Sequence, residues 1–409
     1  MKNTDKKSGK SLSRRNFISL TSAATVGLGG MSLGTLAADT DGFGNLSHQQ
    51  ENLSHPPVKQ EWRNRQEGMA YRQLGRTGMM VSEVVNGGDP VRLGSYKQVE
   101  LALEKGLNYL DMAPAYGNGE CEEAYSKVID SSSKREKVFM NTKISAFKNV
   151  RNRMYKDIFD GLPSEKKEKI LSRAREMREE RGVDKPGYYF TYWPGQDSSM
   201  DACYLANAMM PDYAHKVDGS KKYIETIIQS VEESLKRVKT DYFDLVMCPH
   251  GADCPEEVQI PETYRAFEEL KKSGKVRFMG LSTHNDPAGV LRAATETGQY
   301  DVVMCAYNIV NGGYLEDAIR QAYKSGMGII GMKVAMAVAT HHKALQPVPQ
   351  WRIDKVDRIV PGDMKPPLKA YLWALQNPHI SAVISNLWDE KYVEENLSIV
   401  GKKVQLQPG

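Results

Sequence analysis

The sequence predicts an α/β chain built as a (β/α)8 barrel, and three observations predict it. From residue 70 onward, short apolar runs alternate with segments of helical period. The runs are continuously apolar, as in parallel strands covered on both faces. Eight such units in about 330 residues suit a closed barrel better than an open doubly wound sheet, and no GxGxxG follows the first run.

The eight candidate strands are Glu83–Gly87, Asn108–Asp111, Lys137–Lys143, Tyr242–Cys248, Val276–Ser282, Val302–Ala306, Gly328–Lys333 and Ser381–Ser385. Helical patterns lie near residues 95–105, 120–130, 221–239, 262–273, 286–297, 313–325, 365–376 and 389–398. The third of these keeps Ile224, Ile227, Ile228, Val231, Leu235 and Val238 on one stripe. The interval 144–220 breaks the rhythm. It holds a charged stretch, Ser164–Gly182, that reads as an exposed helix carrying Arg173, Arg175, Arg178 and Arg181. An aromatic run, Tyr188 to Trp193, follows. An insertion leaving the end of a strand emerges at the barrel's C-terminal face, so we expect a lid or pocket wall suited to a ring-shaped substrate.

The chain's start reads as a targeting segment. Six Lys and Arg residues stand against Asp5 in the first 38, so the remainder carries almost none of the net +4. Ser13-Arg14-Arg15-Asn16-Phe17-Ile18 precedes a mildly apolar run, Leu20 to Leu36, and small residues follow at Thr35, Ala37 and Ala38. Paired arginines, a weak apolar segment and a small-residue end resemble a twin-arginine (Tat) signal peptide over 1–38. That implies delivery by the Tat export machinery to the periplasm or another extracytoplasmic compartment, with no stable membrane span after cleavage. Polar residues 39–66 read as a linker, and 67–409 as the barrel. Without a basic stripe, nucleic acid is disfavoured as a partner. Five cysteines without a CxxC pair disfavour a zinc ribbon, an iron–sulfur cluster or a dense disulfide framework; buried single thiols are expected, and no metal site.

Strand ends offer the candidate chemistry. Strand two ends at Asp111 with Tyr116 five residues on, strand three ends at Lys143, and strand four at His250. Barrel geometry points all four at one mouth. An ammonium beside a phenol stabilises the phenolate, a carboxylate fixes the ammonium, and a neutral imidazole can orient a carbonyl oxygen.

Several segments carry a family resemblance. Tyr71-Arg72-Gln73-Leu74-Gly75-Arg76-Thr77-Gly78 with Val81-Ser82, Gly106 to Asp111 with Ala115-Tyr116-Gly117, Ser234 to Val238 with Asp241 to Leu245, and Gly274 to Ser282 together resemble the aldo-keto reductases. The resemblance implies an opening β-hairpin and an oxidoreductase that interconverts a carbonyl and an alcohol on a small substrate. It implies Tyr116 as general acid/base, Lys143 and Asp111 tuning it, and His250 orienting the carbonyl. It also implies a nicotinamide dinucleotide, NADP(H) or NAD(H), against Gly87, Gly88, Ser282, Thr283, Met304, Lys333, Asn386, Glu395 and Asn396. The chain departs from the family's pattern in places. Thr283 then His284 follow Ser282 where the family has Asn, Met304 replaces Gln, and Met332 replaces the stacking aromatic. Asn386 and Tyr392 stand where Lys and Arg often bind the 2′-phosphate. Lys333 or an insertion arginine could supply that charge. Two other readings fit the departures: a lyase or epimerase that retains its cofactor, and a ligand-binding barrel without turnover.

Overall fold

The computed structural model describes residues 58–217, 220–339 and 347–409. The proposed signal, 1–38, and most of the stretch read as linker lie outside these residues. In chain order the strands are β1 (Glu61–Trp62), β2 (Tyr71–Gln73), β3 (Met79–Ser82), β4 (Val84–Gly87), β5 (Tyr109–Asp111), β6 (Phe139–Lys143), β7 (Phe243–Met247), β8 (Val276–Thr283), β9 (Val302–Ala306), β10 (Gly328–Met332) and β11 (Ala382–Ser385). Strands β4 to β11 close into a parallel barrel in chain order, β11 returning to pair with β4 through Val383 opposite Val84. This is the (β/α)8 barrel expected: seven of its eight strands fall within predicted ones, and β8 runs one residue past its predicted end, to Thr283.

The helices are α1 (Lys97–Glu104), α2 (Glu120–Val128), α3 (Ser132–Arg135), α4 (Phe147–Asp160), α5 (Ser164–Arg181), α6 (Gln196–Tyr213), α7 (Ser220–Val238), α8 (Pro261–Lys272), α9 (Pro287–Thr297), α10 (Gly312–Lys324), α11 (Gln350–Ile359), α12 (Pro366–Gln376) and α13 (Glu390–Leu397). Their starts follow local chemistry. Proline opens α8, α9 and α12, where a missing N–H costs nothing. Asp286 caps α9 by accepting from Gly289 N at 3.0 Å, and Asp389 caps α13 by accepting from Tyr392 N at 3.0 Å. No helix among the described residues is long and apolar enough to cross a membrane.

The barrel bottom is closed by the antiparallel hairpin β2–β3. Leu74, Met79 and Val81 join Val85, Tyr109, Phe139, Leu245, Val302 and Ile330 in one buried inner cluster. The linker reading extends too far: β1 pairs with β3 inside the stretch 39–66. Arg63 there bonds Glu61 Oε1 at 2.7 Å and Asp244 Oδ1 at 3.1 Å, and Arg277 and Arg135 bond the same Asp244. A fully buried carboxylate ringed by guanidinium groups anchors residues 61–63 to the barrel.

The insertion is helical. Helices α4, α5 and α6 enclose a small core of their own, with Tyr155, Ile170, Ala206, Met209, Tyr213 and Val217. The exposed α5 matches the charged stretch, and its Arg173 pairs with Glu176 and Glu180 at the surface. The expectation of single thiols holds for Cys121, Cys248 and Cys305, all buried, and fails for the other two. Cys203 on α6 and Cys254 after β7 form a disulfide across 51 residues of sequence. It ties the insertion to the loop that carries His250. Loop closure of that length is worth about 2–4 kcal/mol, so Cys203→Ser should lower the urea midpoint accordingly. Dithiothreitol should then shift the midpoint of the parent protein and leave the variant unmoved; equal midpoints for the two proteins without reductant would show that the link contributes nothing.

Candidate active site

The ends of β5, β6 and β7 bring the four sequence-predicted groups together. Lys143 Nζ lies 2.5 Å from Asp111 Oδ1, 3.2 Å from Tyr116 Oη and 3.1 Å from the Met112 carbonyl. Lys143 and Asp111 are 1% and 2% exposed, so the pair is shielded from water. Asn141 donates to the same Asp111 oxygen at 2.6 Å. Tyr116 meets the His250 ring edge to face, with centroids 5.8 Å apart. Ser145 Oγ stands 2.8 Å from His250 Nδ1.

Electrostatics divide the two rings. Burial pushes the Tyr116 phenol well above its usual 10, and the Asp111 carboxylate adds to the rise, followed by Asp89 and Cys121. This differs from the expectation that Lys143 lowers it: the ammonium is already shared with Asp111, while confinement acts on the phenol undiminished. Burial drives His250 well below 6.5, helped by the charges of Lys143, Lys148 and Lys333, so the imidazole is neutral. Burial also raises the Asp111 carboxyl against the opposing pull of Lys143.

These groups open into a cavity of about 540 Å³. Its wall includes Tyr116, His250, Ser145, Lys148, Tyr192, Trp193, Ser199 and His284, and also Gly87 and Gly88 at the end of β4 with Asn386, Trp388, Tyr392 and Asn396 after β11. Gly88 leaves no room for a side chain, and one at Gly87 would have to push Asn386 aside. A Cβ on Gly88 would stand 2.2 Å from the Asp111 carbonyl oxygen, and one on Gly87 would stand 2.4 Å from Asn386 Oδ1.

Of the residues expected to hold a cofactor, Gly87, Gly88, Met304, Lys333, Asn386 and Asn396 line this cavity. Ser282, Thr283 and Glu395 do not. Ser282 Oγ accepts from Gly251 N at 2.8 Å, and Thr283 Oγ1 donates to the Ala252 carbonyl at 2.9 Å; both hold the loop after His250. Glu395 turns outward to Lys365 Nζ at 2.5 Å. None of the four α5 arginines reaches the cavity. Arg178 pairs with Asp184 and Asp201, and Arg181 pairs with Glu256.

Sequence reasoning missed how the insertion wall is pinned. Gln196 Nε2 bonds Asn285 Oδ1 at 2.5 Å, and Asn285 Nδ2 bonds Asp253 Oδ1 at 2.6 Å. Asp253 Oδ2 accepts from Lys148 at 2.9 Å and from Ser199 at 2.7 Å. Gln196 Oε1 accepts from Tyr192 N at 2.7 Å. This chain of polar contacts fixes Tyr192 and Trp193 over the mouth. The aromatic run was its only sequence signal.

Fold and site together define a closed (β/α)8 barrel with the buried Asp111–Lys143 pair against Tyr116 at its mouth. The chain belongs to the aldo/keto reductase family, whose model matches residues 90–211 and 205–407. It is 30% identical over 220 residues to the uncharacterized oxidoreductase YqkF of Bacillus subtilis, covering 53% of this chain and 49% of that protein. It is 28% identical over 193 residues to an L-galactose dehydrogenase of Arabidopsis thaliana, covering 43% of this chain and 58% of that protein. The chain thus spans about half the length of these curated relatives. The holo form of the aldo-keto reductase AKR11C1 from Bacillus halodurans shares the fold, with TM-score 0.54 and 20% identity over 82% of this chain and 92% of that one.

Proposed function

We propose that this protein interconverts a carbonyl and an alcohol on a small, carbohydrate-like substrate, with a nicotinamide dinucleotide as hydride carrier. One observation carries the reading: a buried ammonium, paired with a carboxylate, touches a phenol at the wall of a cavity of about 540 Å³. The wall formed by Tyr192 and Trp193 suits a sugar ring, and the likeness to an L-galactose dehydrogenase supports that class.

The cavity residues near Gly87 and Asn386 fit a dinucleotide. Gly87 and Gly88 leave backbone open to close approach, Trp388 and Tyr392 offer aromatic faces, and Asn386 and Asn396 offer amides. When bound, the nicotinamide supplies or accepts the hydride at the substrate carbon. In reduction, the Tyr116 hydroxyl gives its proton to the carbonyl oxygen, and Lys143 faces the resulting phenolate. Asp111 holds Lys143 in place. With Ser145 donating to Nδ1, His250 keeps a proton on Nε2 to donate to the carbonyl oxygen and orient it. Asn386, Trp388, Tyr392 and Asn396 carry no cation for a 2′-phosphate, which favours NAD(H) over NADP(H).

We further read residues 1–38 as a twin-arginine signal that delivers the folded protein outside the cytoplasm. The Cys203–Cys254 disulfide suits such an oxidising compartment. Titrating the protein into NADH and NADPH and following nicotinamide fluorescence tests the cofactor. We expect saturable binding, tighter for NADH by about tenfold or more, the worth of one charge-assisted contact. No binding of either nucleotide would overturn the enzyme reading.

A further inference from the structure

His284 has no place in the machinery above, yet it lies on the cavity wall just past β8. It is 9% exposed, and its Nδ1 is buried without a hydrogen-bond partner. The edge formed by Cδ2 and Nε2 lies 3.4 and 3.9 Å from where a Cβ on Gly251 would stand, next to His250. Trp193 packs against the ring edge to face at 4.7 Å, and Tyr192 stands at 6.2 Å. Burial drives the ring well below 6.5, and Lys333, His250, Lys148 and Lys143 act the same way.

A ring retained only for packing needs no nitrogens, and phenylalanine would fill the same gap between Trp193 and Gly251. A neutral imidazole adds one N–H donor and one lone-pair acceptor. Here neither duty is met by the wall residues that touch the ring. A hydroxyl suits whichever nitrogen faces the cavity, accepting from an N–H or donating to a lone pair. A carboxylate could use only the donor, and would pull a proton onto a ring that burial, helped by the nearby lysines, keeps neutral. Tyr192 and Trp193 of the insertion pack against the ring, which places it in the insertion's wall of the cavity, where the substrate lies if the dinucleotide lies along Asn386 and Tyr392.

We propose that His284 reads a hydroxyl of the substrate beside its reacting carbonyl, so that the site prefers hydroxylated carbonyl compounds over simple aldehydes. Trp193 and Tyr192 hold the ring upright, and Gly251 leaves it room. This rests on the carbonyl–alcohol reading above.

The test compares glyceraldehyde with propanal, of equal carbon number and differing in two hydroxyls, on the parent protein and on His284→Phe and His284→Gln. We expect His284→Phe to lower kcat/KM for glyceraldehyde about tenfold or more, chiefly through KM, and to leave propanal within about threefold. His284→Gln, which can donate and accept, should recover part of the loss. NADH binding followed by fluorescence should stay within about twofold of the parent, which separates lost recognition from a disturbed fold. Equal losses on both aldehydes, or no loss on either, would overturn the role of His284 and leave the enzyme reading standing. A parent protein that binds NADH and turns over neither aldehyde would overturn both.

Discussion

Tyr116→Phe should reduce carbonyl turnover by about 10³-fold or more while leaving nicotinamide binding within about threefold. The substitution removes one oxygen atom. Phenylalanine keeps the ring against His250 and the contact with Lys143, whose Nζ stands 4.7 Å from the ring centroid. What disappears is the hydroxyl that Lys143 touches, and with it the proton for the carbonyl oxygen. The loss should therefore fall on kcat and kcat/KM together. A variant that keeps a tenth of the parent's turnover would transfer the proton-donor role elsewhere.

The same arrangement fixes a pH profile. The phenol is held well above 10 and the imidazole well below 6.5. Between those limits the phenol stays protonated and the imidazole neutral, so neither titrates. The rate of reduction at saturating substrate should be flat from about pH 7 to pH 9. A step near pH 6.5 would mean that His250 titrates as an ordinary exposed imidazole.

The barrel was legible because each strand must bury both faces, and a continuous apolar run such as Val302–Ala306 records that directly. The helices were legible because their buried stripes repeat every turn. The gathering of Asp111, Tyr116, Lys143 and His250 followed from topology, since a parallel barrel sends every strand end to one face. Finer placements did not follow. Ser282 and Thr283 sit at the end of β8 and turn their hydroxyls to the neighbouring loop, an outcome set by the path of residues 249–252. Glu395 and Asn396 are adjacent on α13, and the helical turn sends one to Lys365 and the other to the cavity and Ser385. The Cys203–Cys254 pairing needs α6 folded back onto the loop after β7, and nothing local in the sequence records that. The rise of the Tyr116 pKa was missed for a related reason. Charge partners can be guessed from strand ends, whereas the degree of burial is a property of the closed cavity.

Lys143→Met should be damaging twice, and the two injuries can be separated. The ammonium is the partner of a carboxylate 2% exposed, so its loss leaves Asp111 with Asn141 as its remaining side-chain donor. Breaking such a buried pair costs about 3–5 kcal/mol. Asp111 is already raised by burial, with Lys143 the main force holding it down, so the single variant must bind a proton there to relieve the charge. A group raised in the folded state gives its stability below its unfolded value near 4 and loses it as pH climbs through the folded value. The deficit of Lys143→Met against the parent should therefore be smaller at pH 5 than at pH 8 in urea unfolding. Adding Asp111→Asn removes the stranded charge and keeps a carbonyl oxygen for the Asn141 amide. The double variant should regain most of the lost stability at pH 8, and its deficit should no longer depend on pH. Turnover should stay as low as in the single variant, because nothing then faces the phenolate that proton transfer creates. If the double variant were as unstable as Lys143→Met, packing of the lysine stem and not the buried charge would be what the pair contributes.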